Sequence, residues 1–300
     1  MPLRDVIRSL VESAVTTSGL AALGRRRLRG RTIVLAFHNI VPNGADPAGE
    51  RTLHLAQARF GEFLDVLGAT HHVVPLTEAL DARGHAARPR VAITFDDAYR
   101  GAVTAGVSEL ARRGLPATIF VAPGSVGGGP WWWDELADGD GVVPADVRAR
   151  ALERWRGRDA EIRRALAPAP RSIARHALVA SEAELRTAVG NASITLGSHS
   201  WSHPNLALCE PGELADEMAR PLQWLRERFA AVVPYLAYPY GLWSDAVRRA
   251  AETAGYRAGF RIEGGWLSRG AGEGRFDLPR LNIPHALSSR GLTLRLAGLR

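Results

Sequence analysis

Thr32-Ile33-Val34-Leu35-Ala36-Phe37 is an uninterrupted apolar and β-branched run, too short for a typical helix, and it predicts a strand buried on both faces. Val91-Ala92-Ile93-Thr94-Phe95 and Ala117-Thr118-Ile119-Phe120-Val121 repeat the pattern. Between them apolar positions fall at helical spacing: Phe60, Phe63, Leu64 and Leu67 before the second run, and residues 103–113 after it, where Gly114 offers a stop. Strand, helix and strand in that order predict parallel pairing through a crossover. The rhythm resumes at residues 181–189, a helix opened by Ser181 with Glu184 at capping-box spacing. Ser193-Ile194-Thr195-Leu196 then reads as a strand, 213–229 as an amphipathic helix, and Tyr235-Leu236-Ala237-Tyr238 as a strand. Residues 245–254, ended by Gly255, predict a helix, and Arg257-Ala258-Gly259-Phe260 a further strand. Repeated βα units without an internal sequence repeat imply an α/β fold, a barrel or an open parallel sheet.

One stretch breaks this rhythm. Residues of about 124–170 contain Gly127-Gly128-Gly129-Pro130, then Trp131-Trp132-Trp133-Asp134, then an Arg-, Glu- and Ala-rich helical segment, and are expected to form an insertion over one end of the sheet. The chain therefore divides into a basic amphipathic segment at 1–30, a main domain at 31–284 and a tail at 285–300. In the first segment Val6, Ile7, Leu10, Val11, Ala14 and Val15 recur at helical spacing ahead of a basic run from Arg25 to Arg31, a pattern suited to packing on the domain or on a membrane face. Arg4, Asp5, Arg8 and Glu12 interrupt any secretory leader, and no segment approaches the roughly 20 apolar residues that span a bilayer. A cytoplasmic location, at the inner membrane face in one version, is the expectation.

Composition adds a little. With 300 residues, 46% of them hydrophobic, the chain is long enough to bury a full core. Its net charge of +7 is spread among acidic residues, and no aromatic-interleaved basic stripe, helix-turn-helix pattern or zinc-finger spacing accompanies it, so nucleic acid is not expected as a partner. The single cysteine, Cys209, excludes an internal disulfide. The glycine-rich stretches at 127–129 and 270–274 lack the Lys-Ser/Thr of a phosphate loop.

The chemistry sits at strand ends. Asp96 and Asp97 follow one apolar strand, His199 and His203 a second, and Pro239-Tyr240-Gly241 a third. In parallel α/β folds the C-terminal strand ends share one mouth, so these segments should converge. One Asp with two His makes a facial metal site, and the remaining carboxylate is the base that metal-assisted hydrolysis needs.

These residues carry a resemblance. Thr94-Phe95-Asp96-Asp97, His199-Ser200-Trp201-Ser202-His203-Pro204 and Tyr238-Pro239-Tyr240-Gly241 resemble, in order, the first three motifs of the NodB-homology polysaccharide deacetylases, carbohydrate esterase family four. Leu35-Ala36-Phe37-His38-Asn39-Ile40 is similar to the family's opening strand, and Trp132-Trp133-Asp134-Glu135-Leu136 and Leu278-Pro279-Arg280-Leu281 look most like members from bacterial exopolysaccharide biosynthesis. The resemblance implies a distorted, incomplete (β/α) barrel and removal of N-acetyl groups from N-acetylhexosamine units of a polysaccharide or its precursor. It implies that Asp97, His199 and His203 hold a divalent metal, zinc first and Fe, Co or Ni as alternatives, that Asp96 is the base, and that the backbone N–H of Tyr240 serves an oxyanion. Two motif positions differ. Ala237 stands where the family places an Arg that orients the base, which makes Arg280 the candidate cation, and the late Leu-x-His-Asp segment that carries the general acid is absent, which makes His285 the candidate acid. Ala98 replaces a frequent Gly, a small-for-small change expected to cost little. Alternatives of other kinds are a catalytically weakened carbohydrate-binding member, or a deacetylase of O-acetyl or non-polymeric substrates.

His38 is expected to line the pocket, Trp201, Pro239 and Trp243 to contact the glycan, and at least two of Trp131 to Trp133 to be core. His71 and His72 are expected at the surface.

Overall fold

The structure, a computed structural model, describes residues 19–81, 87–168, 171–191, 193–267 and 275–299. Among the described residues ten strands are formed: β1 (Thr32–Phe37), β2 (Asn39–Val41), β3 (His54–Ala56), β4 (His72–Val73), β5 (Arg90–Phe95), β6 (Ala117–Val121), β7 (Ile194–Ser198), β8 (Val232–Ala237), β9 (Ala258–Phe260) and β10 (Leu281–Asn282). Eight make one sheet of order β10-β1-β5-β6-β7-β8-β9 with β4 beside β5, and every pairing in it is parallel. A bridge from Phe260 to Leu278 and the pairing of Leu35 with Leu281 let the last segment span between the two edges of the curled sheet. This is the expected incomplete (β/α) barrel.

Side-chain alternation divides the core in two. Val34, Ala92, Phe120, Tyr235, Ala237 and Phe260 pack together on the inner face. Ile33, Leu35, Phe37, Ile93, Phe95, Ile119 and Leu196 face the other way, against helices that include Phe60, Phe63 and Leu64. Gly197 belongs to the inner phase of β7, where a Cβ would meet the Phe120 ring at 2.6 Å. Only glycine fits there.

Helices fill the intervals as patterned: Gln57–Thr70, Val107–Arg113 after a π-turn, Glu182–Gly190, Pro211–Arg228 and Asp245–Thr253. Ser181 caps Glu182–Gly190 with both halves of the capping box made. The 124–170 stretch carries three helices, Trp132–Leu136, Ala145–Glu153 and Asp159–Leu166. Residues 285–300 hold a helix, Ser289–Leu296, whose buried Leu292 and Leu296 join the core, so this stretch packs on the domain instead of trailing from it.

Of the N-terminal segment, residues 1–18 lie outside the described residues. The described helix Leu20–Arg27 buries Ala21 and leaves Leu20 and Leu23 exposed, while Gly24 lies too close to the backbone of Ala297 for any side chain. Among the described residues no helix is long and apolar enough to cross a membrane. The surface expectation for His71 is corrected: it is only 2% exposed and stacks on Trp266, a partner far along the chain, while His72 is exposed.

Candidate active site

Strand phase places the first acidic residue. Ala92 and Thr94 face inward on β5, and Asp96, two positions on, keeps that phase at the strand's C-terminal end. Its N–H donates to Phe37 O at 2.9 Å, tying it to the end of β1. Asp97 has the opposite phase, but both it and Ala98 are left-handed, with φ of 66° and 48°, and the turned backbone brings its carboxylate to the same mouth. Ala98 is therefore not the free exchange for glycine that its size suggests, since an L-residue in this region costs roughly 1–2 kcal/mol.

His199 follows β7 in the inner phase of Gly197. Its N–H donates to Val121 O at 2.8 Å, and its Nδ1 lies 2.7 Å from Ala237 O. A proton on Nδ1 donated to that carbonyl leaves the Nε2 lone pair free to bind a cation. His203 reaches the same point from a loop in which Ser200 and His203 both have φ of 63°. Its ring packs against Trp131, Trp133 and Tyr240, with centroids 4.9, 5.2 and 4.6 Å away.

The structure brings Asp97, His199 and His203 together as one buried group whose ligand atoms all lie within 4.8 Å of one another. Asp97 Oδ1 is 3.1 Å from His203 Nε2 and 3.4 Å from His199 Nε2, yet it has no well-formed hydrogen bond. Three donor atoms that converge on a point instead of satisfying one another are what a tetrahedral or octahedral cation requires, so the residues fit a divalent metal. Burial pushes the Asp97 carboxyl up, and the adjacent His199 and His203 reverse this and hold it well below the usual carboxylate range.

Arg280 lies beside this group, fully buried. Its Nη1 and Nη2 donate to Oδ1 and Oδ2 of Asp96, each at 2.7 Å, its Nε donates to Arg261 O at 3.1 Å, and Nη1 also reaches Thr94 Oγ1 at 3.2 Å. The guanidinium sits over the Phe120 ring at 5.4 Å. Burial would raise the Asp96 pKa, but Arg280 and His199 outweigh it and keep the carboxyl below its ordinary value. The cation that Ala237 cannot provide arrives from the segment just before β10.

His38 continues the inner phase of Val34 and Ala36 at the end of β1. It is half-buried and feels the charges of Asp97, Asp96, Arg280 and His199; burial is the main cause of its lowered pKa. His285 is placed elsewhere, exposed beyond β10, where its charged neighbours are Arg51, Glu50 and His54. It is not among the groups gathered at the carboxylates.

Tyr240 has φ of 58°, and its side chain is tied to the 124–170 stretch: the hydroxyl accepts from Trp132 Nε1 at 3.1 Å and donates to Gly157 O at 3.3 Å. Pro239 is buried, and its carbonyl accepts from Leu242 N at 3.1 Å. Trp243 is half-buried and stacks on Tyr238. One face of the half-buried Trp201 is taken by Arg220, whose guanidinium carbon is 3.9 Å from the ring centroid. Trp131, Trp132 and Trp133 are all buried. A cavity of ≈ 560 Å³ opens between the 124–131 loop, the Asp159–Leu166 helix and the histidine loop, lined by Ser125, Trp131, Arg158, Asp159, Arg163 and Ser202 among others.

Two supports of the site went unread in the sequence. Asp134, fully buried, accepts from Tyr99 Oη at 2.7 Å and bonds His54 Nε2 at 2.9 Å, while Trp133 Nε1 donates to Tyr99 Oη at 2.7 Å, which fixes the aromatic wall beside His203. Glu217 is the second; it occupies the apolar phase of its helix, a visible signal that a carboxylate is being buried for a reason.

Comparison with known proteins bears on the family and the fold. The family model described as polysaccharide deacetylase matches residues 83–259. A chitooligosaccharide deacetylase from Bradyrhizobium sp. (strain ANU 289) is 30% identical over 81 residues, 27% of this chain and 37% of that protein, so the match spans little more than a third of that relative's length. Among solved structures, the Streptococcus pyogenes deacetylase PplD in complex with acetate superposes with a TM-score of 0.61 at 17% identity, covering 87% of this chain and 96% of that one. IcaB from Ammonifex degensii gives 0.60 at 18% identity over 89% and 97%. At these identities the two structures establish a shared fold.

Proposed function

The chain belongs to the polysaccharide deacetylase family, and we propose that it is a divalent-metal-dependent hydrolase removing N-acetyl groups from N-acetylhexosamine units of a polysaccharide or its precursor. The observation that carries this reading is a buried carboxylate, Asp96, gripped at both oxygens by Arg280 directly beside the convergent Asp97, His199 and His203.

Asp97, His199 and His203 would hold the cation, with zinc the expected occupant and Fe, Co or Ni suited to the same donors. Bound there, it would supply Lewis acidity, lowering the pKa of water from 15.7 toward about 7 and polarising the amide carbonyl. Asp96 takes the proton as water adds to the acetamide carbon; Arg280 holds the carboxylate in place and ionised. The backbone N–H of Tyr240 is assigned to the developing oxyanion. His38, neutral at rest because burial lowers its pKa and within electrostatic reach of both carboxylates, is assigned to pass the proton gained by Asp96 on to the leaving nitrogen, in preference to the exposed His285. The C–N bond then breaks to give acetate and a free amino sugar. Trp131, Trp133 and Tyr240 wall His203 away from bulk water. The adjoining cavity is assigned to neighbouring sugar units, with the half-buried Trp201 and Trp243 at the glycan-facing rim and the buried Pro239 shaping the turn beneath it.

Acetate release from a panel of N-acetylated glycans, with and without chelator, tests the reading. Asp96→Asn should lower turnover by a factor on the order of 10²–10⁴ while metal binding persists. Metal binding without acetate release from any N-acetyl substrate would overturn it. The exposed Leu20 and Leu23, set among Arg25, Arg26 and Arg27, are assigned to contact with an anionic membrane surface on the cytoplasmic side. Flotation with anionic but not zwitterionic vesicles is the expected result, and equal behaviour with both would refute it.

A further inference from the structure

We infer that Glu217, which touches no reacting group, is a positioning residue that sets the affinity of the site for its metal by holding the loop on which His203 is carried. The inference rests on the metal reading above and concerns how unequal the support of the two histidines is.

His199 needs little help. It extends β7, and its backbone and ring are fixed by Val121 O and Ala237 O. His203 is different, because its loop leaves the strand and enters the left-handed region twice, at Ser200 and at His203 itself. Residues other than glycine adopt this conformation uncommonly, and a loop that enters it twice within four residues is held there by its surroundings.

What surrounds this loop is a carboxylate. Glu217 Oε2 accepts from the backbone N–H groups of Trp201 and Ser202 at 2.8 and 2.9 Å, and Oε1 accepts from Ser202 Oγ at 2.6 Å. Two successive peptide N–H groups aimed at one oxygen form a concave nest for an anion, and here the protein supplies that anion from its own helix. Ser200 Oγ accepts from His203 N at 3.1 Å, closing the turn from inside, and Trp201 O accepts from Gly124 N at 2.8 Å, backing it from outside. Arg220, one turn along from Glu217, covers the Trp201 ring.

The residue's position in its helix points the same way. In Pro211–Arg228 the buried positions are Leu214, Glu217, Met218, Pro221, Leu222 and Leu225, so Glu217 stands where the helix would otherwise place an apolar side chain. It is 6% exposed. A surface glutamate would have no cost of burial to offset; this one is buried to meet three donors, all on the two residues between Ser200 and His203. Without it those N–H groups have no acceptor, the double left-handed turn relaxes, and His203 leaves the point where Asp97 and His199 still converge.

The test measures metal binding directly. Apparent Kd for Zn²⁺, by competition with a chromophoric chelator, and the visible absorption of the Co²⁺-loaded protein are compared for the full chain, Glu217→Gln, Glu217→Ala and His203→Ala. Loss of outer support of this kind weakens metal binding by roughly 10–100-fold, and Glu217→Ala is expected in that range with an altered Co²⁺ spectrum. Glu217→Gln, isosteric and keeping one acceptor oxygen, should fall between it and the parent, and turnover of both should recover in excess metal. Should Glu217→Ala fail to fold, Glu217→Gln alone decides. A folded Gln or Ala variant with Kd within about twofold of the parent and an unchanged Co²⁺ spectrum would overturn the inference. His203→Ala separates this from failure of the underlying metal reading: if it binds metal as well as the parent does, the site itself is wrong and Glu217 has nothing to position.

Discussion

Arg280 carries the sharpest demand at the scale of single residues, because its guanidinium is wholly buried and both Asp96 oxygens depend on it. Replacing it with Gln leaves a buried carboxylate uncompensated, and a cost of about 3–5 kcal/mol in unfolding free energy is expected from urea titration. Arg280→Lys keeps the charge but not the two-pronged geometry, so kcat should fall while the Zn²⁺ Kd stays unchanged. Loss of metal with either variant would mean that Arg280 supports the cation site and not the base. A second pair of variants distinguishes the candidate acids. His38→Asn is expected to lower kcat by roughly 10²–10⁴-fold, and His285→Asn by less than about threefold, measured by acetate release at saturating metal. The reverse order would return the acid role to His285. Arg280's pairing with the base and His38's place in the pocket were legible only through the family resemblance: the apolar flanks of Arg280 announce burial, but not which carboxylate waits 184 positions earlier.

At the scale of elements, the two-residue alternation of strands did most of the work and was largely legible. Asp96 stands in register with Ala92 and Thr94, and His199 with Gly197, so placing the apolar runs placed these side chains at one mouth. The turns after the strands were not legible. Glycine announces a left-handed residue; Asp97, Ala98, Ser200, His203 and Tyr240 adopt that region without it, because long-range contacts impose what the local sequence disfavours. Gly197 shows the opposite case, a glycine required by crowding. Gly197→Ala should destabilise the protein by about 1–3 kcal/mol, since its methyl would press on Phe120, and the companion change Phe120→Leu should recover part of that loss. Denaturant midpoints for the single and double variants measure the coupling, and strict additivity would contradict the predicted contact.

For the whole molecule, pH acts through a residue remote from the strand-end mouth. His71 is buried against Trp266, and burial lowers its pKa to about 4 from an ordinary 6.5. Between those values the unfolded chain binds a proton that the folded chain refuses, so stability is complete above the upper value and declines as pH falls toward the lower. Over pH 7 to 4.5 this one group should remove on the order of 2–3 kcal/mol. In His71→Leu that part of the decline should disappear from urea curves taken at the two pH values; an undiminished slope would assign the acid sensitivity to other groups. Local pattern carried no warning of this, because the two adjacent histidines look alike and only the fold reveals which one Trp266 covers.

The segment that spans from β9 to β1 also orders events during synthesis. Asp96, Asp97 and both histidines emerge from the ribosome well before Leu278–Asn282, and until that last stretch docks, the base has no cation and the curled sheet has a free edge at β1. On the proposed mechanism chemical competence therefore waits for this late segment to dock, so a nascent or truncated chain that already carries Asp97, His199 and His203 still lacks an anchored Asp96.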